Sequence, residues 1–518
     1  MNLGLLWAGI RKDVARERSE MSYLLALDQG TTSSRALVVD GAGSILGMEQ
    51  REFPQLLPRS GEVEHDPEAI WSSQLDTARR VLHASSIGSE QIRAIGITNQ
   101  RETTILWERS TGRPVANAMV WQSRASVPVC QRLLQEGVDD WVREKTGLVI
   151  DPYFSGTKIR HLFDQNPDLQ RRAERGELAF GTVDSFLIWR LTGGRCHVTD
   201  VSNASRTLLM NLKTLQWDAD LLKLLDLPVE LMPKIIGSSE VLGETDAEWL
   251  GTRIPIGGVA GDQQAATFGQ RCFEPGEAKC TYGTGCFALL NTGDAPAASE
   301  HGLLTTLGWK IGNSVTYCLE GSVFVGGAVV QWLRDQLAFI DSATDVEQLA
   351  LSVEDSGGVV FVPAFTGLGA PYWDPVARGA MFGLSRGTCR GAIARAALES
   401  IAFQTADLIE AMRRDFPVQG TLRVDGGAAT NDLLMQVQAN LIGTNVIRPA
   451  SVESTALGAA YLAGLAVGVW KDKNELKTLQ EHERYFHPEM DAEARQSAMT
   501  KWKAAIEQVM SWGVAVDD

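Results

Sequence analysis

The sequence predicts an α/β protein made of two similar domains with a cleft between them. Three observations predict it. Near the start, YLLALDQGTTSSRALVVDGAGSILGMEQREF reads as strand, tight turn, strand, Asp-Gly turn, strand. Past the middle, KCTYGTGCFALLNTG reads again as strand, Gly-Thr turn, strand. Each unit is followed by alternating helical and strand patterns, so one theme is played twice along the chain.

In the first half, AIWSSQLDTARRVLHA has the period of an amphipathic helix, with Ile70, Leu75, Ala78 and Leu82 on one face. IRAIGITN follows as a strand apolar on both faces. PIGGVAGDQQAATFGQ reads as strand, loop and helix and closes this half, which places the boundary near residues 265–280. In the second half, LRVDGG is a strand entering a turn and ATNDLLMQVQANLIG is a helix. Asn440 to Arg448 reads as a strand, and ALGAAYLAGLAVG as a helix of small residues. The domains expected are 21–270 and 271–518, preceded by a loose extension over residues 1–20. In that extension, MNLGLLWAGI is followed by basic residues and lacks a clear small-residue cleavage site, the wrong order for a signal peptide.

Bulk properties narrow the function. The 518 residues are 44% hydrophobic and 22% charged, enough apolar material for more than one core. The formal charge of −16 argues against a nucleic-acid partner. An anionic ligand would need backbone N–H groups, basic side chains or a metal concentrated locally. The uncharged run Thr455 to Trp470 is rich in Gly and Ala and falls short of the about 20 residues of a membrane span. No integral membrane segment is expected. Seven scattered cysteines, with no CxxC pair, fit thiols in a reducing cytoplasm better than a zinc site.

Several motifs could carry chemistry. DQGTTSSR offers Gly, Thr, Ser and Arg beside one Asp, which suits either a phosphate-gripping turn or an ordinary hairpin turn. YGTGCFA has the spacing of a dinucleotide fingerprint, but CFALLNT is strand-like where that fingerprint needs a helix. The P-loop and protein-kinase motifs are absent. In GDQQAA, Asp262 stands where a strand meets a helix, as a helix cap or as a general base facing a cleft. NQRETT sets Arg101 and Glu102 directly after a buried strand, as a solvated loop or as donor and acceptor for hydroxyls.

ALDQGTTSSRA, GITNQRETT, DPYFSGTK, AGDQQAA, TYGTGCF, GLGAPYWDPVARGAMFGLSRG and DGGAATNDLL stand in an order and spacing that resemble the FGGY carbohydrate kinase family, from about Tyr23 to about Gln508. NQRETT and AGDQQAA are similar to its glycerol-phosphorylating members rather than its pentulose-phosphorylating ones. The resemblance implies two ribonuclease-H-like domains of the actin and hexokinase type, with the site in a central cleft. It implies ATP plus glycerol giving sn-glycerol 3-phosphate plus ADP, with magnesium. Asp262 would be the general base for in-line transfer. Arg101, Glu102, Tyr153, Asp262 and Gln263 would bind the three hydroxyls, with Trp121 and Phe287 covering the carbon chain. Thr31, Thr32, Ser33, Arg35 and Thr284 would meet ATP phosphates. Gly327, Gln331, Gly427 and Asn431 would hold the nucleoside, and Asp28 would hold magnesium through water. A homodimer or homotetramer is the expected assembly.

Three positions depart from the family pattern. His161 replaces a Trp, and Ala392 replaces a polar residue. Of a GGKGGTR loop that binds fructose 1,6-bisphosphate in some bacterial members, only Gly251, Thr252 and Arg253 remain. Two rival readings follow. One is a family member acting on a larger sugar. The other is an ATPase of the same fold that hydrolyses ATP to change shape.

Overall fold

The computed structural model describes residues 22–480 and 482–517. The expected extension over 1–20 lies outside the described residues. The chain groups into two compact units. The first comprises residues up to Arg271 with Thr306–Tyr317 and Ser454–Gln480, and the second comprises Cys272–Thr305, Cys318–Glu453 and Glu481–Asp518.

In the first unit, β1 (Tyr23–Gln29) and β2 (Ser33–Asp40) form a hairpin that β3 (Ile45–Glu52) extends. β4 (Ile92–Asn99) runs parallel to β1, and β6 (Pro255–Gly261) runs parallel to β4. β5 (Ser239–Glu244) closes the sheet, whose order is β5-β6-β4-β1-β2-β3. Helix α1 (Pro67–Ser85) starts where Asp66 accepts from the Glu68 amide and Pro67 takes a position that needs no hydrogen-bond donor. It buries Ile70, Trp71, Leu75, Ala78, Val81 and Leu82, which includes the whole expected face. Each large apolar member contributes roughly 1.5–3 kcal/mol of burial.

The second unit repeats this plan. β7 (Ala278–Tyr282) and β8 (Cys286–Gly293) form the hairpin, and β11 (Thr421–Asp425) runs parallel to β7. β12 (Asn445–Pro449) runs parallel to β11. With β9 (Leu304–Ile311), β10 (Ser314–Val323) and β13 (Glu483–Phe486), the order is β9-β10-β8-β7-β11-β12-β13. The pattern β6-β4-β1-β2 thus matches β12-β11-β7-β8, and the duplication expected from the turns is real.

Two expectations on elements are corrected. Asn440 to Ile442 still belongs to a helix, and the strand begins only at Asn445, because Gly443 ends the helix in the left-handed conformation (φ 64). No loop separates Gly261 from the helix α3 (Asp262–Gly269). The strand ends and the helix begins at adjacent residues, which holds Asp262 at the sheet's rim.

The small-residue helix, α7 (Ser454–Ala466), is buried as expected. It lies so close that a Cβ on Gly96 of β4 would sit 2.1 Å from the Ala459 carbonyl. A Cβ on Gly458 would sit 1.8 Å from the Ala265 carbonyl of α3. These glycines let α7 clamp α3 against the sheet, fixing the helix that carries Asp262. Among the described residues no helix is long and apolar enough to cross a membrane.

Candidate active site

Parallel strands in one sheet present their C-terminal ends on one side, where α/β proteins place ligands. In the first unit Asp28 pairs with Thr98 and Asn99 with Gly261 across β1, β4 and β6. The turns that follow, DQGTT, NQRETT and the start of GDQQAA, therefore emerge together.

The first turn is closed by the Gly30 amide bonding to the Ser33 carbonyl at 2.9 Å. Asp28 and Arg35 face each other across the hairpin, 3.7 Å apart. Ser33 accepts from Gln50 at 2.9 Å, and Gln50 in turn accepts from Arg35 at 3.2 Å. Thr32 is exposed, and the Thr31 hydroxyl accepts from the Trp121 indole at 2.9 Å. Asp28, Thr31, Thr32, Ser33 and Arg35 are thus gathered on one hairpin end.

The second turn is the densest part of the site. Arg101 and Glu102 are 2% and 1% exposed. The sequence left a solvated loop open at NQRETT, and the structure rules it out. Arg101 Nε lies 3.3 Å from Asp262 Oδ1, and its Nη2 reaches the Tyr153 hydroxyl at 3.3 Å. Glu102 has a backbone φ of 58, a left-handed conformation that costs a non-glycine residue roughly 1–3 kcal/mol. Ser155 and Thr104 hold its carbonyl at 3.0 and 3.1 Å. Trp121 and Tyr153 meet edge to face with ring centres 5.6 Å apart.

Asp262 is not the helix cap that residue frequencies favour. Gly261 occupies that position, and Asp262 opens α3 with its side chain 26% exposed and accepting from the Gln263 amide at 2.7 Å. Gln263 is buried on the same first turn of the helix. Arg101, Glu102, Trp121, Tyr153, Asp262 and Gln263 are therefore gathered in the first unit.

Sequence reasoning missed two buried cations beneath this cluster. Arg206 is fully buried, and its Nε donates to Glu102 Oε1 at 2.7 Å. Its guanidinium lies over the rings of Tyr153 and Phe154, 5.5 and 5.2 Å from their centres. Lys158 is also fully buried and donates to the carbonyls of Pro152 and Tyr153. Burial pushes its ammonium down to about 8. DPYFSGTK contains Lys158, but nothing in that pattern signals that the lysine points inward.

In the second unit, the turn after β7 carries Thr284. The Gly283 amide bonds to the Gly285 carbonyl, and the Gly326 and Ala328 amides bond to the Thr284 carbonyl at 2.7 and 3.1 Å. A cavity of about 490 Å³ opens there. Thr284, Gly327, Gln331, Gly427 and Asn431 all line it, as do Leu398, Ile401 and Leu434. Gly327 precedes helix α4 (Ala328–Asp335), which carries Gln331. Gly426 has φ 87, and a Cβ there would sit 2.6 Å from the Tyr282 carbonyl, so only glycine lets β11 turn against β7. Nothing lies within 4 Å of a Cβ on Gly427, which leaves its backbone facing open space. Asn431 caps helix α5 (Asp432–Ile442) by accepting from the Leu434 amide at 2.8 Å. The lining segment Ala343–Glu347 was not anticipated, because its residues carry no turn or phosphate signal. Phe287 stands half-buried on β8 opposite Thr281.

The seven cysteines are unpaired thiols, and burial pushes Cys272 and Cys280 up to about 12. Among the described residues no group of three or more His, Cys, Asp or Glu side chains could hold a metal ion.

Comparison with known proteins places this geometry. Residues 23–269 match the N-terminal domain of the FGGY family of carbohydrate kinases, and residues 278–467 match its C-terminal domain. The chain is 59% identical to a glycerol kinase of Ralstonia nicotianae over 490 residues, 94% of this chain and 98% of the relative. It is 54% identical to glycerol kinase 2 of Thermotoga maritima over 493 residues, 95% of this chain and 99% of the relative. The solved structure of Plasmodium falciparum glycerol kinase with ADP superposes with a TM-score of 0.87 at 35% identity, covering 94% of this chain and 98% of that one. A ligand-bound xylulose kinase of Lactobacillus acidophilus shares the fold at 23% identity and a TM-score of 0.83, covering 94% of this chain and 97% of that one.

Proposed function

The chain belongs to the FGGY family of carbohydrate kinases, and from that premise we propose its reaction: ATP-dependent phosphorylation of glycerol, giving sn-glycerol 3-phosphate and ADP. The observation that carries this reading is the near-full-length identity of 59% to a glycerol kinase. The buried Arg101, Glu102 and Tyr153, with the partly exposed Asp262 beside them, support it.

A triol needs several placed donors and acceptors and an apolar wall. Glu102 supplies an acceptor, and Arg101 and Gln263 supply donors. The Tyr153 hydroxyl accepts from Arg101, so its own O–H can donate to a polyol oxygen. Trp121 and Phe287 cover the carbon chain. Asp262 is the general base. It takes the proton of the attacking hydroxyl as the oxygen adds in line to the γ-phosphorus and ADP leaves. The Arg101 guanidinium at 3.3 Å favours the ionised, proton-accepting form of Asp262.

Thr31, Thr32, Ser33, Arg35 and Thr284 contact the phosphates. The cavity lined by Gly327, Gln331, Gly427 and Asn431 takes the nucleoside, and its size suits one. Asp28 is a carboxylate beside the phosphate-gripping turn, 3.7 Å from Arg35. That fits magnesium, which keeps most of its waters and shares phosphate oxygens with one or two carboxylates. When bound, the ion would neutralise charge developing on the phosphates. ATP as co-substrate and unpaired thiols together fit a reducing cytoplasm.

An ADP-release assay over polyols and ketoses tests the substrate. Turnover is expected with glycerol and not with xylulose or ribulose. The reverse pattern would replace glycerol by a pentulose.

A further inference from the structure

We propose that Arg206 is the positioning residue that keeps Glu102 an ionised, correctly aimed acceptor, and that it thereby sets the affinity for glycerol. The inference rests on the assignment of Glu102 to the glycerol hydroxyls.

Glu102 is 1% exposed, so water does not stabilise its charge. A carboxylate in that setting stays ionised only if a cation is bonded to it. Three cations stand near it. Arg206 is nearest, with Nε to Oε1 at 2.7 Å. Arg101 Nε stands 3.9 Å from the same oxygen, and that guanidinium is shared with Asp262 at 3.3 Å. Lys158 lies farther off and spends its ammonium on two backbone carbonyls. Arg206 is therefore bonded directly to the Glu102 carboxylate.

Arg206 is itself placed with care. It lies in the turn after the short helix Val201–Ala204, 104 residues beyond Glu102 in sequence. Its guanidinium rests on the faces of Tyr153 and Phe154. Cation and aromatic rings attract, which fixes the guanidinium plane without consuming the Nε bond. Glu102 also sits in a left-handed backbone conformation, which needs surrounding contacts to persist. The Arg206 bond is one such contact, made to the side chain at its functional end. A salt bridge buried this fully earns little stability against an apolar pair. Its consequence lies in what it does to the carboxylate: Oε1 is bonded to Arg206, which fixes the direction in which the Glu102 side chain is aimed.

The test compares Arg206→Met, Arg206→Lys, Glu102→Gln and the double variant Arg206→Met with Glu102→Gln in the full chain. In Arg206→Met, glycerol KM should rise on the order of 10- to 100-fold, the range for losing a hydrogen bond to a charged group. ATP KM should stay within about twofold. Without this cation, the buried Glu102 carboxylate is held less strongly in its ionised form. Glycerol KM in this variant should therefore fall as pH rises from about 6 to 9, a limb that wild type and Arg206→Lys lack. The double variant should show the same glycerol KM as Glu102→Gln alone, because Arg206 has no carboxylate left to act on.

The proposal is overturned if Arg206→Met keeps the wild-type glycerol KM. It is equally overturned if both substrates weaken together with no new pH limb, or if the double variant loses more than Glu102→Gln. If Arg206→Met does not fold, the double variant decides, since it leaves no uncompensated buried charge. Equality with Glu102→Gln supports the proposal, and a further loss or a second failure to fold overturns it. A Glu102→Gln variant with unchanged glycerol KM would instead remove the assignment of Glu102 itself.

Discussion

The two units hold the same strand plan yet build their candidate sites from different materials. In the first, Arg101, Glu102 and Arg206 are charged side chains held close together and nearly removed from water. In the second, the cavity is lined by glycine backbone, the side chains Thr284, Gln331, Glu347 and Asn431, and the apolar side chains Leu398, Ile401 and Leu434. A small triol offers only hydroxyls, so selecting it takes aimed donors and acceptors. A nucleoside offers a broad face, so a slot of the right width suffices. The polyol cluster should therefore be sensitive to charge and the nucleotide cavity to bulk.

Variants can break or sharpen that contrast. The largest effect is expected for Asp262→Asn, which should keep both KM values within a few-fold and lower kcat by roughly 10²- to 10⁴-fold in initial-rate assays. A near-normal kcat would take the base away from Asp262. Next is Gly427→Leu. A Cβ there meets no protein atom within 4 Å, so the fold should tolerate it. The side chain fills the cavity, and ATP KM should rise about tenfold or more, the equivalent of 1.4 kcal/mol. Glycerol KM should hold steady. A parallel rise in both would erase the contrast between the units.

Trp121→Phe keeps an aromatic wall but removes the N–H bonded to Thr31 at 2.9 Å. One lost hydrogen bond of about 1 kcal/mol predicts a change of roughly fivefold, read in ATP KM more than in glycerol KM. The reverse split would place Trp121 wholly on the polyol side. The smallest effect is expected for Asn431→Ala. Losing this cap should cost about 1 kcal/mol and lower the Tm by roughly 2–4 °C. An unchanged Tm would mean that Leu434 finds another acceptor.

The turns of both units were readable because glycine, threonine and adjacent strands leave local signals. The gathering of Thr31 to Arg35 on one hairpin, and of Thr284, Gly427 and Asn431 around one cavity, follows from those signals and from family resemblance. The supports were not readable. Arg206 sits in SNASRT, which reads as a loop, and its partner lies 104 residues earlier. Lys158 lies on a helix, where a lysine is more often solvated than buried. The returns of Thr306–Tyr317 and Ser454–Gln480 to the first unit depend on tertiary packing, which no local pattern encodes. Asp262 shows the limit of residue frequencies: Asp at a helix start is commonly a cap, yet here Gly261 takes that position and the carboxylate stands within 3.3 Å of Arg101.

The most direct measurement is ADP release by the purified full chain with saturating ATP and magnesium, with and without glycerol. ADP release is expected to depend on glycerol and to match glycerol 3-phosphate formed one for one. Steady ADP release that glycerol does not stimulate, with no glycerol 3-phosphate, would contradict this and mark the chain as an ATPase of the same fold.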